Sequence, residues 1–156
     1  MRAADLLVPS LVCVPAPWRT FEATVTGLLG LVRTHHGLTA EAEQRAIQAV
    51  LAREAEASTA LLEIGVGVPH ARLADVARPA LAIAIAPAGL YEPVPLLRIG
   101  ITALVLSPLT AVQLHLQTLA GLSLLFRSSD LRGALLRATD AEAAVAAITA
   151  YDRKQP

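Results

Sequence analysis

The chain has 156 residues, which suits one domain around one core. Apolar residues make up 54% and charged residues 17%, which excludes a disordered chain, and aromatics are only 3%, so the core is aliphatic. The 13 basic and 13 acidic residues cancel, with no basic run and no RNP-type aromatic pattern, so no nucleic-acid partner is expected.

Residues 6–16, LLVPSLVCVPA, imitate an export signal, but Asp5 flanks them and Pro9 interrupts them. Cys13 is the one cysteine; a lone thiol makes no internal disulfide, and a reducing cytoplasm fits. Pro15 and Pro17 belong to an opening loop. Thr20 caps a predicted helix to about His35, with Gly37 just past its end. Thr39 opens a second helix, in which Glu41 and Glu43 favour the positive end and Ala46, Ile47, Val50 and Leu51 form an apolar stripe. Residues 64–68 read as a short strand, and LAIAIA at 81–86 as a buried one. PAGLYEPVP reads as a loop. LRIGITALVL at 97–106 reads as a further buried strand ended by Ser107-Pro108.

Thr110 then opens a helix to about Phe126. Residues 99–126 carry no formal charge, yet Pro108, Gln113, His115, Gln117 and Thr118 break the run. Strand, turn and half-buried helix explain it better than a membrane span, so no stable membrane insertion is expected. A short helix is predicted at 129–138. Thr139-Asp140-Ala141-Glu142 has the form of a capping box for a last helix to about Tyr151. Helices, then strands, then helices give a single α/β domain over residues 1–156 with a mostly buried sheet.

Against this aliphatic background a few polar stretches stand out: Arg53-Glu54, Ser58-Thr59, Pro69-His70 and His115. Taken singly, each has an ordinary structural reading. His70 can close a strand, His115 can be a hydrogen-bonded core residue, and Arg53 can be a cation at a helix C-terminus. Ser58 can turn the chain, and Glu54 can be a solvated charge. A metal site on His70 and His115 lacks a third ligand nearby in sequence. His35-His36 reads as a structural pair at a helix end, its two rings on different sides.

Taken in order, the stretches form R-E-x3-S-T, a Gly-containing segment entering V-P-H, a strand closed by proline, and H-L-x-x-L on a helix. That series resembles the enzyme IIA domains of the fructose/mannitol type in the bacterial phosphotransferase system, which include the nitrogen-regulatory IIA proteins. Arg53, Glu54, Ser58, Thr59, Gly65, Gly67, Val68, Pro69, His70, Leu104 to Pro108, His115, Leu116 and Leu119 carry the likeness. It covers nearly the whole chain. It implies a mixed central sheet with helices on both faces.

The resemblance also implies that His70 takes a phosphoryl group from the carrier protein HPr. The group then passes to a IIB domain, or its presence is read by a regulated target. His115 and Arg53 would support His70. Phosphoryl transfer needs a positioned nucleophile and charge stabilised on the equatorial oxygens. Neutral imidazole supplies the first, Arg53 a permanent charge, and Ser58, Thr59 and the Gly67 backbone supply donors. No metal or cofactor is required, and a homo-oligomer is compatible with the series. Ala57 stands where the family has glycine, and Glu63 lengthens the segment before Pro69 by one residue. These departures keep a second class in view: a IIA-like regulatory or binding module that no longer transfers phosphate.

Overall fold

A computed structural model describes residues 2–155. Two 3-10 turns, Ala3–Leu6 and Pro9–Leu11, lead to strand β1 (Val12–Cys13). Helices α1 (Phe21–His36) and α2 (Ala40–Glu56) follow. Their ends are set by residues named from the sequence. Thr20 Oγ1 accepts from the Ala23 N–H and Thr39 Oγ1 from the Ala42 N–H, each at 3.0 Å. Gly37 takes the left-handed conformation (φ 72°) that stops α1. Val25, Leu28, Leu29 and Val32 recur at helical spacing and are buried. Each such side chain contributes about 1.5–3 kcal/mol of burial.

The strands come next: β2 (Ala60–Leu61), β3 (Val66–Gly67), β4 (His70–Leu73), β5 (Ala80–Ile85), β6 (Tyr91–Val94), β7 (Leu97–Ile99) and β8 (Ile101–Pro108). Helices α3 (Val112–Leu125), α4 (Ser129–Arg137) and α5 (Ala141–Arg153) close the chain. The main sheet has 6 strands in the order β1-β5-β8-β3-β2, with β4 also paired to β8. β5 runs antiparallel to β8, while β3 and β4 run parallel to it. All of β5 is buried, as is β8 up to Ser107, which explains their unbroken apolar sequences. α1 packs on β5 and α2, α2 on β4, α3 on β8, and α5 on β1. The result is the expected class: one α/β domain, a mixed sheet flanked by helices.

β3 and β4 form an interrupted strand. β3 faces Ile101 and Thr102, and β4 faces Val105 to Pro108, so the two lie end to end along one side of β8. Pro69 falls in the gap. It has no N–H to give the ladder, but its carbonyl still accepts from the Val105 N–H at 3.0 Å.

Several sequence expectations are corrected. The strand predicted at 64–68 is a 3-10 turn (Leu62–Ile64), then Gly65 at φ 66°, then only Val66–Gly67. The continuous strand at 97–106 breaks at Gly100, whose N–H donates to the Gly65 carbonyl at 2.9 Å. The predicted loop PAGLYEPVP holds β6, which pairs with β7 as a separate hairpin. β8 runs through Ser107 to Pro108 rather than stopping before them, because β4 continues beside it. α3 starts at Val112 with no side-chain cap, not at Thr110. α5 is capped by Asp140, whose Oδ1 accepts from the Ala143 N–H at 2.8 Å, so the box is not built on Thr139.

Candidate functional site

The break between β3 and β4 puts His70 at the first position of a strand, one residue after a fixed proline. Its ring folds back on the chain: His70 Nδ1 lies 2.8 Å from the Val68 carbonyl oxygen. A carbonyl only accepts, so Nδ1 carries the proton and donates it. The Nε2 lone pair is left for chemistry. His70 is half-buried.

The register of β4 against β8 supplies the surroundings. His70 pairs with Val105, and Arg72 pairs with Ser107. Alternate residues of a strand share a face, so His70 and Arg72 project to the same side, while Ala71 and Leu73 are buried on the other. Ser107 is buried on the face it shares with Arg72, and its hydroxyl meets α3. Ser107 Oγ and His115 Nδ1 are hydrogen-bonded at 2.7 Å. That bond sets the His115 ring 5.2 Å from the His70 ring, centroid to centroid, with the planes tilted by 58°. The two histidines are thus brought together from positions 45 residues apart in the sequence (115 − 70).

His115 is 6% exposed. Burial lowers its pKa to about 4, with further lowering from neighbouring His70 and Arg72. At neutral pH it is an uncharged hydrogen-bonding ring. Arg72 is exposed and donates Nη1 to the Leu109 carbonyl at 2.7 Å.

The other sequence candidates are placed differently. Arg53 sits in the last turn of α2 and donates Nη1 to the Ala57 carbonyl at 3.1 Å. Among the described residues it makes no hydrogen bond to either histidine. The Thr59 hydroxyl and N–H both go to the Glu54 carboxylate. Glu54 is therefore a tie that turns the chain after α2, not the solvated charge expected. Ser58 is exposed, and its Oγ accepts from the Ala60 N–H at 3.2 Å. Gly67 is buried, and a Cβ there would collide with the Tyr91 hydroxyl. Its smallness thus makes room for Tyr91, an account that needs no phosphate. Glu63 is exposed on its 3-10 turn.

Sequence reasoning missed three parts of the site: the Val68 carbonyl, Ser107 and Arg72. Arg72 had a signal. A strand starting at His70 would have set Arg72 on the histidine's face by simple alternation.

Two histidines are thus held in fixed orientations by neutral partners. The chain matches the family model for the phosphoenolpyruvate-dependent sugar phosphotransferase system, EIIA 2, over residues 32–151, and it belongs to that family. Solved structures agree on the fold. The nitrogen regulatory protein IIA-Ntr from Neisseria meningitidis is similar at TM-score 0.77 and 23% identity, over 93% of this chain and 97% of that one. IIA mannitol from Escherichia coli is similar at TM-score 0.76 and 15% identity, over 91% and 98%. A complex of the same organism's enzyme IIA mannitol with phosphorylated enzyme IIB mannitol matches at TM-score 0.75 and 14% identity, over 92% and 97%. A comparison with curated protein sequences gives no significant match. No helix among the described residues is long and apolar enough to cross a membrane.

Proposed function

We propose that this protein is a phosphoryl carrier that accepts a phosphoryl group on Nε2 of His70. The observation that carries this reading is the 2.8 Å bond from His70 Nδ1–H to the Val68 carbonyl. It fixes the tautomer, fixes the ring, and leaves one nucleophilic nitrogen. The donor is a phosphohistidine protein of the HPr type, and the acceptor is a IIB domain or a regulated target.

The step balances without a base. The Nε2 lone pair attacks phosphorus, and the donor's P–N bond breaks, its electron pair returning to the donor nitrogen. His70 becomes a phosphoimidazolium whose Nδ1–H stays on the Val68 carbonyl. The donor, protonated on its other nitrogen, leaves as neutral imidazole. His115 assists as a neutral donor: when the Ser107 hydroxyl donates to Nδ1, the proton of His115 lies on Nε2 and is free for a phosphoryl oxygen. Arg53, whose one side-chain hydrogen bond among the described residues is to its own helix end, is a reserve cation that a partner's phosphate can recruit. Ser58 keeps a hydroxyl proton for the same purpose, whereas Thr59 and Gly67 act by shaping the loop.

The rim of the site supports a protein partner. Leu109, Val112 and Leu116 are 51%, 47% and 59% exposed and flank His115 and the Arg72 contact. The segment that carries this apolar rim, residues 99–126, has no carboxylate of its own to repel a phosphorylated partner.

The test is incubation with phosphoenolpyruvate, enzyme I and HPr, followed by intact mass and nitrogen-15 NMR. One acid-labile phosphoryl adduct on Nε2, absent from His70→Ala, is expected. A folded protein that takes no phosphoryl group from its own carriers would overturn the reading in favour of a docking module.

A further inference from the structure

We infer that Arg72 is a catalytic residue of this site: its guanidinium binds the phosphoryl oxygens during transfer to His70 and offsets their charge. The inference rests on the phosphoryl-carrier reading above and adds to it the group that neutralises the transferred anion.

Three observations converge on Arg72. First, it lies two residues beyond His70 on β4, so both side chains leave the same face of the strand about 7 Å apart. Second, its cross-strand partner is Ser107, the residue that holds His115. Arg72 therefore stands in register with the hydroxyl that orients the second histidine. Third, its charge is felt at His115 strongly enough to help lower that residue's pKa.

The two other candidates for positive charge stand differently. His115 is buried and uncharged at neutral pH. Arg53, like Arg72, spends Nη1 on one carbonyl, that of Ala57 at the end of α2, but makes no hydrogen bond to either histidine among the described residues, so Arg72 adds to it rather than replacing it. Arg72 is exposed and, among the described residues, spends only Nη1, on the Leu109 carbonyl. A guanidinium gripping a carbonyl with one arm is positioned in advance, and its remaining fork matches two oxygens of a phosphoryl group. The charge costs no reorganisation at the moment of transfer.

The test compares wild type, Arg72→Gln and Arg72→Lys with two donors: phospho-HPr, and the small-molecule donor phosphoramidate. The second needs no protein docking. Arg72→Gln is expected to slow phosphorylation of His70 about 10- to 100-fold with both donors. Arg72→Lys keeps the charge but loses the fork, and is expected to recover part of the rate. Thermal melting of each variant checks that the exposed substitution leaves the fold intact.

Loss with phospho-HPr alone would make Arg72 a docking residue and overturn the inference. Equal rates for wild type and Arg72→Gln would also overturn it while leaving His70 as the acceptor. Arg72→Lys as slow as Arg72→Gln would show that a positive charge at this position recovers nothing and overturn the electrostatic role. A wild-type protein that accepts phosphate from neither donor removes the carrier reading itself.

Discussion

The molecule holds two pairs of histidines at almost the same spacing. The rings of His70 and His115 are 5.2 Å apart, and those of His35 and His36 are 4.8 Å apart. The second pair sits exposed at the end of α1, its planes at 84°, with His35 Nδ1 sharing a 3.1 Å hydrogen bond with Ser10 Oγ. The sequence reading set those rings on different sides of the helix, whereas in the structure they meet edge to face. What separates the pairs is the frame around them. His70 is clamped by a main-chain carbonyl across a proline, and His115 by a buried serine of the central strand. His36 is bonded to no side chain among the described residues, and its pKa is lowered by burial and by His35. Two imidazoles in contact are common chemistry at a helix end, where cations suit the dipole. A fixed tautomer is what sets the first pair apart.

The comparison is broken most directly by phosphorylation. His70→Ala is expected to abolish acid-labile phosphate completely, while His35→Ala and His36→Ala leave its yield and rate unchanged. Phosphate surviving in His70→Ala and lost in His35→Ala would exchange the roles of the pairs. The next largest effect is on acid stability. The fold pushes His115 from 6.5 to about 4, so between those values the unfolded chain binds more protons than the native one. Stability therefore falls as pH drops from 6.5 to 4, by roughly 2–3 kcal/mol, and His115 adds no further change below that. Urea unfolding at several pH values should show His115→Gln losing this part of the slope. Identical slopes in the two proteins would mean that His115 is not held neutral.

How much of this was visible in the sequence differs between fold and site, for a physical reason. Helices α1 and α2 were legible to within a residue or two, because Thr20, Thr39 and Gly37 mark their ends by local chemistry. β5 was legible because six apolar residues in a row have few other uses. The stretch from Leu62 to Leu73 was not, because its shape depends on a long-range partner. Gly65 is bonded across to Gly100, and β3 and β4 exist only as two halves laid against β8. His70 and His115 were found through the order of motifs. Arg72 and Ser107 were not, because their adjacency is a fact of parallel register that no local pattern encodes. The roles given to Thr59 and Gly67 as phosphate support met a competing use. Thr59 faces Glu54, and Gly67 faces Tyr91, a buried tyrosine whose hydroxyl lacks a hydrogen-bond partner among the described residues.

The smallest effect sharpens the contrast at the level of single hydroxyls. Ser107 and Ser10 each share one hydrogen bond with the Nδ1 of a histidine, at 2.7 and 3.1 Å. Ser107 is buried, so Ser107→Ala strands a ring nitrogen that water cannot reach, a cost of about 1–2 kcal/mol. Ser10 and His35 are exposed, so in Ser10→Ala water takes the place of the hydroxyl, and the change should stay below about 0.5 kcal/mol. Denaturant midpoints of the two variants measure both numbers. Phosphorylation should divide them further. Ser107→Ala frees the His115 ring to turn, so transfer to His70 slows by more than the loss of stability accounts for, whereas Ser10→Ala leaves transfer untouched. If Ser107→Ala were destabilised yet transferred phosphate at the wild-type rate, the serine would be a packing residue, and the orientation of His115 would owe nothing to it.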